Sequence, residues 1–182
     1  LQSTSGFSIR TNAHAFKILS SGLYSDKVAA VLREIGCNAA DAHVEAGKPN
    51  LPFEVKLPNL IDNQFYIKDW GPGLSHEDVT GLYSAYFAST KQGSNDMTGA
   101  FGLGSKSPFS YTDSFTVVSR HEGVQRVYAL YLGEDGSPTI SLMSIDTADD
   151  TGMQIGFPVK TEDYQEFASK AQNIFQWFFT PP

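Results

Sequence analysis

The sequence predicts an α+β fold in which helices cover one face of a largely antiparallel sheet. Two observations lead to this prediction. One long segment, residues 26–46, carries apolar side chains at helical spacing, and six shorter extended runs are separated by turn-forming residues. The elements follow the order helix, hairpin, helix, loop, meander, helix, which lacks the regular alternation of strand and helix that builds a parallel sheet. We therefore expect a two-layer α+β sandwich.

The first helix has the clearest pattern in the chain. Its apolar residues recur every three or four positions, at Val28, Val31, Leu32, Ile35, Ala39 and Ala42. Gly47 and Pro49 then end the run, because glycine favours the C-terminal cap and proline cannot continue a helix. Two extended runs, 53–58 and 64–70, follow with a polar link between them, so a hairpin is expected.

The rest of the chain contains a polar loop, short extended runs and further helices. A second helix is predicted over 76–87 with Ser75 as its N-cap, and a small polar loop follows over 88–99. After a short helix at 106–111, four strands and a final helix are expected at 114–120, 124–132, 138–144, 152–159 and 162–178. The final helix ends in the aromatic run FQWFF, whose side chains span more than one helical face. At least one aromatic group is therefore expected to lie beyond a simple packing surface. A helix that covers the core is the simpler explanation, and a contact with a following domain or a second copy is the alternative.

Length and composition fit one globular domain, residues 1–182, with its core over about 25–160. Hydrophobic residues make up 41% of the chain, and no apolar run approaches the roughly 20 residues of a membrane-spanning helix. The formal net charge of −7 opposes nonspecific attraction to nucleic acid. Cys37 is the only cysteine, which excludes an internal disulfide, and the four histidines lack the spacing of a metal site. Because the chain begins with Leu1, we expect a fragment of a longer protein.

Three polar residues share one stripe of the first helix. Asn38 lies four residues after Glu34, and Asp41 lies three residues further, so all three border the apolar face. A carboxylate at such an edge can deprotonate a water molecule. A neutral amide oxygen one turn away can complete the octahedral shell of Mg²⁺ beside phosphate oxygens. An ordinary amphipathic helix explains the same pattern, so this segment alone does not establish a function.

The run IKDWGPG places Asp69 at the end of a predicted strand, before a turn that contains Gly71 and Gly73. A buried carboxylate there can accept a hydrogen bond from the exocyclic amino group of adenine, whereas guanine presents an acceptor at that position. The glycines would let a flat base approach the backbone. Taken alone, a structural turn is the simpler explanation of this run.

The third element is the run GAFGLGSKS. Gly99, Gly102 and Gly104 have the spacing G-x-x-G-x-G, and Lys106 follows after Ser105. Backbone N–H groups of such a loop can bind phosphates where the loop opens into a helix, with further donors from Lys106 and Ser105. The loop is not a Walker A motif, because a serine separates its last glycine from the lysine, and its glycine spacing is the reverse of a Rossmann fingerprint.

The order of these three elements resembles the Bergerat ATP-binding fold of Hsp90 chaperones, gyrase-type topoisomerases, MutL repair proteins and histidine kinases. The resemblance covers about residues 25–159. It rests on the combination of an E-x-x-x-N helix, a D-x-G-x-G turn after a strand, and a glycine-rich helix start. It implies a mixed, mostly antiparallel sheet with helices on one face, a mobile ATP lid over about 74–105, and ATP or ADP with Mg²⁺ as ligands.

Carried over to this sequence, the resemblance assigns a role to each motif. Glu34 becomes the base that activates water and Asn38 the magnesium ligand, with Asp41 beside them. Asp69 becomes the carboxylate that reads adenine, next to Gly71 and Gly73. The phosphate-binding end of the lid is then formed by Gly99, Phe101, Gly102, Leu103, Gly104, Ser105 and Lys106.

The chain departs from the family on the far side of adenine. Relatives that hydrolyse ATP commonly carry a Gly-Thr pair on a late strand, whereas Met153 follows Gly152 here, and Thr151 is the expected substitute. Glu34 favours the hydrolysing branch, because histidine kinases usually lack an acid at this position. The resemblance thus implies slow ATP hydrolysis coupled to lid closure and to dimerisation or partner remodelling. The alternatives are an ATP-responsive binding module without hydrolysis and, less favoured, a histidine-kinase catalytic domain.

At a finer level, the runs LREIGCNAADAHVEAG and GAFGLGSKSPFSYTDSFTV resemble the rII A family of bacteriophage proteins, protectors against prophage-induced early lysis. That resemblance implies expression in the cytoplasm of an infected bacterial cell and association of the full-length protein with the inner membrane. The expected partners are ATP or ADP, a second copy bound through lid or C-terminal contacts, and a protein that the sequence does not identify.

Overall fold

The computed structural model describes residues 26–83, 107–133 and 138–182. Its first helix, α1 (Lys27–Glu45), agrees with the predicted helix within one residue at each end. The side chain of Asp26 caps this helix by accepting a hydrogen bond from the backbone N–H of Ala29 at 2.9 Å. Just after the helix, Gly47 has a φ of +70°, a conformation that glycine adopts without strain.

In the described part of the chain, six strands form one sheet. They are β1 (Glu54–Lys56), β2 (Gln64–Lys68), β3 (Ser114–His121), β4 (Val124–Leu132), β5 (Pro138–Thr147) and β6 (Gly152–Pro158). Their spatial order is β1-β2-β6-β3-β4-β5, and every pair among the described strands is antiparallel. The predicted hairpins β1–β2 and β3–β4 are present. The insertion of β6 between β2 and β3 brings Asp69, which follows β2, beside the start of β6.

The turn between β3 and β4 shows why the sequence gives a tight hairpin there. Its two central residues, Glu122 and Gly123, have φ values of 49° and 77°. Two successive positive φ values are typical of a type I′ turn, whose twist matches that of the flanking strands. This turn joins the two strands predicted at 114–120 and 124–132, whereas residues 134–137, which precede β5, lie outside the described residues.

The helices occupy one face of the sheet, as predicted. Residues 76–83 form α2, and the Ser75 hydroxyl oxygen accepts the backbone N–H of Asp78 at 3.1 Å, which confirms the predicted cap. Helix α3 (Ser107–Tyr111) begins directly after residues 84–106, which are not described. One 3₁₀ turn precedes α4 (Tyr164–Phe175). Helix α1 contacts α3, α4, β2 and β6. It is thus the central helix of its layer.

Aromatic side chains fill the space between the two layers. The rings of Phe65 on β2 and Phe157 on β6 lie 5.2 Å apart between centroids, and both contact the ring of Phe167 on α4. Each such ring, removed from water, contributes about 1.5–3 kcal/mol of stability. Gly36 lets α4 approach α1 closely, since a Cβ atom there would lie 2.5 Å from the Phe175 ring. The residues under α1 therefore form the main core.

The final helix is shorter than predicted. It ends at Phe175 and not at residue 178. The chain turns at this point so that Phe178 packs edge-on against Phe53 and Phe175, at 5.6 Å and 5.3 Å between ring centroids. Trp177 and Phe179 remain 82% and 88% exposed. Two aromatic side chains of the run thus lie outside the core, and their contact with a following domain or a second copy stays a prediction.

The predicted lid is described only at its start. Within residues 74–83, Val79 and Tyr83 are buried in the core. Residues 84–106 lie outside the described residues, so the mobility of the lid stays a prediction. Across the described segments, no helix is both long and apolar enough to cross a bilayer.

Candidate functional site

The stripe of polar residues on α1 lies where the sequence predicts, at the border of the buried face. Glu34 and Asn38 are half-buried, and Asp41 is exposed. Within the described part of the chain, the side chains of Glu34 and Asn38 make no hydrogen bond or ion pair. A carboxylate and an amide one helical turn apart are therefore available to a ligand at the edge of the core.

Asp69 is the buried carboxylate of the site, with a relative exposure of 6%. Its Oδ1 accepts two backbone hydrogen bonds, from Gly71 N at 2.9 Å and from Met153 N at 3.0 Å. Burial raises the pKa of this carboxyl group, and the two N–H donors partly oppose that rise. Among the described residues, no hydrogen bond reaches Oδ2. One oxygen is thus used to hold the turn, and the other is left to accept a donor from a ligand.

The glycines of the DWGPG turn are required by contacts within the protein. A Cβ atom on Gly71 would lie 2.6 Å from the Cβ of Ala42 on α1. Gly73 has a φ of +69°, and a Cβ atom there would lie 2.1 Å from the carbonyl oxygen of Arg120 on β3. The turn is therefore packed tightly between α1 and β3. The predicted approach of a flat base to these glycines stays a prediction.

The start of β6 lies directly against Asp69. The backbone N–H of Asp69 donates to the carbonyl oxygen of Met153 at 2.9 Å, so the strand pairing continues one residue beyond β2. Gly152 has a φ of +129°, and a Cβ atom there would lie 2.1 Å from the carbonyl oxygen of Asp69. Thr151 is half-buried at this end of β6. Its predicted hydroxyl contact with a nucleotide stays a prediction.

The sequence did not lead us to predict two residues at the site, His43 and Arg120. The histidines had been considered only as metal ligands. His43 is 1% exposed, and its ring joins α1 to the turn through Leu51 O at 2.7 Å and Trp70 N at 2.8 Å. A signal for its burial was present, because His43 lies four residues after the buried Ala39 on the same helical face.

Arg120 is the second missed residue, and it is 5% exposed. Its Nη2 donates to the carbonyl oxygen of Asp69 at 3.3 Å. Its Nε lies 3.0 Å from Oδ1 of Asp150, close enough for an ion pair but without the alignment of a hydrogen bond. Lys68 Nζ lies 3.2 Å from the other oxygen of Asp150. No local pattern in the sequence predicts the contacts of Arg120 with Asp69 and Asp150, because these residues lie far apart along the chain.

Helix α1 brings the predicted motifs together. Its Ala42 lies against Gly71 of the turn, and α3, which directly follows the predicted phosphate loop, packs on the same helix. The loop itself lies outside the described residues, as do its predicted ligands Gly99, Phe101, Gly102, Leu103, Gly104, Ser105 and Lys106. The described part thus joins the turn to α1 at Ala42 and leaves the loop as a prediction.

A depression of about 440 Å³ on the opposite face of the sheet is a separate feature. It is lined by strand residues such as Tyr66, Thr116 and Gln154, which alternate with the core-facing residues of their strands. It contains none of the predicted site residues. The polar stripe of α1 and the turn that holds Asp69 therefore remain the candidate site.

Comparison with known proteins gives a family and several relatives. Residues 25–154 match the model of a family described as histidine kinase-, DNA gyrase B- and HSP90-like ATPase. The chaperone protein HtpG of Rickettsia bellii (strain RML369-C) is 28% identical over 178 residues, which cover 84% of this chain and 28% of the relative. HtpG of Rickettsia canadensis (strain McKiel) is 29% identical over 143 residues, which cover 64% of this chain and 23% of the relative. The chain thus spans less than a third of the length of these relatives.

Proposed function

This chain belongs to the family of histidine kinase-, DNA gyrase B- and HSP90-like ATPases, and we propose that its own site binds ATP with Mg²⁺ and hydrolyses it slowly. The observation that carries the proposal is Asp69, a buried carboxylate with one oxygen fixed by two backbone donors and the other not engaged by any described residue. It lies in a turn that touches the helix bearing Glu34 and Asn38.

Asp69 recognises the base of the nucleotide. Oδ2 accepts a hydrogen bond from the exocyclic amino group of adenine, while Oδ1 keeps the turn closed through Gly71. A base with a carbonyl oxygen at that position would set two acceptors against each other in a buried site, which costs affinity. Burial of the carboxylate therefore favours adenine over guanine or hypoxanthine.

Mg²⁺ would be held by Asn38 together with the phosphates. The described residues contain no group of three His, Cys, Asp or Glu side chains that could hold a metal ion alone. A single half-buried amide fits an ion that keeps several waters and takes its remaining ligands from phosphate oxygens. The bound ion would neutralise charge that develops on the phosphates. The ion is therefore expected to bind with the nucleotide and not before it.

Glu34 is the proposed general base. Its half-buried carboxylate makes no hydrogen bond or ion pair within the described residues, so it is free to accept a proton from a water molecule that attacks the terminal phosphate. Asp41, one turn beyond Asn38, is exposed and would contribute negative charge at the mouth of the site. Of these residues, only Glu34 is expected to be needed for hydrolysis and not for nucleotide binding.

The lid and the partners are further parts of the proposal. Residues 99–106 would bind the phosphates with backbone N–H groups where they lead into α3, and closure of the segment before them would exclude water. The matched relatives are called chaperones, so we infer that closure drives dimerisation or acts on a protein partner. From the finer resemblance to phage rII A proteins, we infer that this activity takes place in the cytoplasm of an infected bacterial cell.

The test is nucleotide binding and phosphate release by the wild type, Glu34→Ala and Asn38→Ala. We expect Glu34→Ala to bind ATP with wild-type affinity and to lose at least about 100-fold in turnover, the usual contribution of a general base. Asn38→Ala should lose the Mg²⁺ dependence of ATP binding. Unchanged phosphate release by Glu34→Ala would overturn the assignment of the base and favour a nucleotide-responsive binding module without hydrolysis of its own.

A further inference from the structure

His43 is a buried histidine whose two ring nitrogens both have backbone partners. Nδ1 lies 2.7 Å from the carbonyl oxygen of Leu51, and Nε2 lies 2.8 Å from the backbone nitrogen of Trp70. A carbonyl oxygen only accepts and a backbone N–H only donates, so Nδ1 must carry the proton and Nε2 must offer its lone pair. The neutral Nδ1–H tautomer is the one form that satisfies both contacts.

The Trp70 amide belongs to the peptide group that follows Asp69. The other end of this peptide group, the carbonyl oxygen of Asp69, accepts a hydrogen bond from Arg120 Nη2 at 3.3 Å. The peptide plane is therefore held from α1 by His43 and from β3 by Arg120. Since this plane sets the direction in which the Asp69 side chain leaves the backbone, both residues act on the position of the carboxylate.

His43 also links the two ends of the proposed nucleotide site. Helix α1 carries Glu34 and Asn38 at the phosphate end, and Asp69 lies at the adenine end. Among the side chains of α1, that of His43 is the one hydrogen-bonded to the DWGPG turn. The hydrogen bond from Trp70 thus fixes the turn, and with it Asp69, relative to the helix. Sites of this kind need their groups held within about 0.5 Å.

We propose that His43 is a positioning residue for adenine recognition, acting through the Trp70 amide to hold Asp69 in register with α1. This inference rests on the proposed function. His43 does not touch the nucleotide and takes no part in hydrolysis. Its effect is on the affinity and base preference of the site and not on the rate at saturating ATP.

Two variants, each of which keeps one of the two hydrogen bonds of His43, distinguish the positioning role from a general contribution to stability. In His43→Gln, the side-chain oxygen can reach the place of Nε2 and accept the Trp70 N–H, while the contact with Leu51 is lost. In His43→Asn, the side-chain amide can take the place of Nδ1 and donate to Leu51 O, while the contact with Trp70 is lost. Each variant removes one buried hydrogen bond, so both should lose a similar amount of stability. Tyr111→Phe, which removes the hydrogen bond from the Tyr111 hydroxyl group to Asp163 outside the site, is the control.

The experiment measures, for the full chain, the affinities of ATP and of ITP, which carries a carbonyl oxygen in place of the adenine amino group. It also measures phosphate release at saturating ATP and the melting temperature. We expect His43→Gln and the control to keep wild-type affinity within about twofold. His43→Asn should bind ATP about tenfold more weakly, with a smaller preference over ITP and unchanged release at saturation. Equal affinities in the two His43 variants would overturn the proposal and leave His43 with a structural role alone.

Two further outcomes are informative. If the wild type binds neither nucleotide, the proposed function fails, and this result is distinct from equal behaviour of the two variants. If either His43 variant does not fold, hydrogen exchange of the Trp70 amide in the wild type replaces the comparison. Binding of ADP should slow this exchange at least about tenfold, because the nucleotide fixes Asp69, whose carbonyl group shares one peptide plane with the Trp70 N–H that His43 holds. Unchanged exchange in the nucleotide-bound protein would contradict the proposal.

Discussion

Gly73 lies so close to Arg120 that a Cβ atom at Gly73 would be 2.1 Å from the carbonyl oxygen of Arg120. The contact joins the DWGPG turn to β3 and limits which residue the turn accepts at this position. The turn is held at its next residue as well, because the Ser119 hydroxyl group donates to Leu74 O at 2.6 Å and accepts Leu74 N–H at 2.9 Å. The position of Asp69 therefore depends on β3 as much as on its own strand.

The first prediction concerns Gly73. Gly73→Ala should lower the free energy of unfolding by about 3 kcal/mol or more, because it adds both a positive-φ strain and a clash with backbone that cannot move aside. Gly123→Ala is the matched control, since its φ of +77° is similar and no atom lies within 4 Å of the added Cβ. The control should lose about 1 kcal/mol. Denaturant unfolding measures both, and equal losses would contradict the close contact.

The second prediction concerns the partner of Arg120. Asp150→Asn removes the carboxylate that faces a guanidinium group with 5% exposure, so it should cost about 2 kcal/mol of stability, less than a fully buried pair because Asp150 is partly exposed. Asp62→Asn is the comparison, since Asp62 pairs with Lys56 at 2.7 Å near the surface. That change should cost clearly less stability than Asp150→Asn, because water screens an ion pair at the surface. If denaturant unfolding gives the two variants the same stability, Arg120 does not depend on Asp150.

The third prediction follows from the raised pKa of Asp69. Burial makes the folded carboxyl group hold its proton more strongly than the unfolded one, whose pKa is near 3.8. The charged form therefore lowers the free energy of unfolding at neutral pH, and this penalty disappears as the pH falls through the raised pKa towards the unfolded value. Asparagine is neutral throughout. Asp69→Asn should therefore be more stable than the wild type at pH 7, and the difference should shrink as the pH approaches 4.

Unfolding at several pH values tests this prediction. Asp41→Asn, at an exposed position of α1, controls for the loss of one negative charge. A stability difference for Asp69→Asn that does not change between pH 7 and pH 4 would show that burial of the charge is not its cause.

Local sequence signals predicted much of the fold. Helical spacing located α1 within one residue at each end, and alternation with turn residues located all six strands. The early end of α4 could not be read from its aromatic run, because the turn after Phe175 is stabilised by packing of Phe178 on Phe53. Tertiary contacts of this kind override local helical preference.

The candidate site was predicted less completely than the fold. The motif residues Glu34, Asn38 and Asp69 could be selected as candidates only from the order of their motifs and the family resemblance, because the chemistry and spacing of each motif alone also fit an ordinary structural role. The position of β6 between β2 and β3 could not be predicted, because it depends on pairing between distant segments. That pairing decides that Met153 supplies a backbone donor to Asp69. The supporting roles of His43 and Arg120 follow from the same long-range arrangement.

The most direct test of the account is the base preference of Asp69→Asn. The asparagine oxygen can still accept the N–H groups of Gly71 and Met153 in place of Oδ1, and its NH₂ group then replaces the accepting Oδ2 with a donor. Calorimetric titration with ATP and ITP, in the presence of Mg²⁺, should show that the wild type prefers ATP by at least about tenfold and that Asp69→Asn loses or reverses this preference. The same ATP-to-ITP ratio in both proteins would contradict the reading of adenine by Asp69.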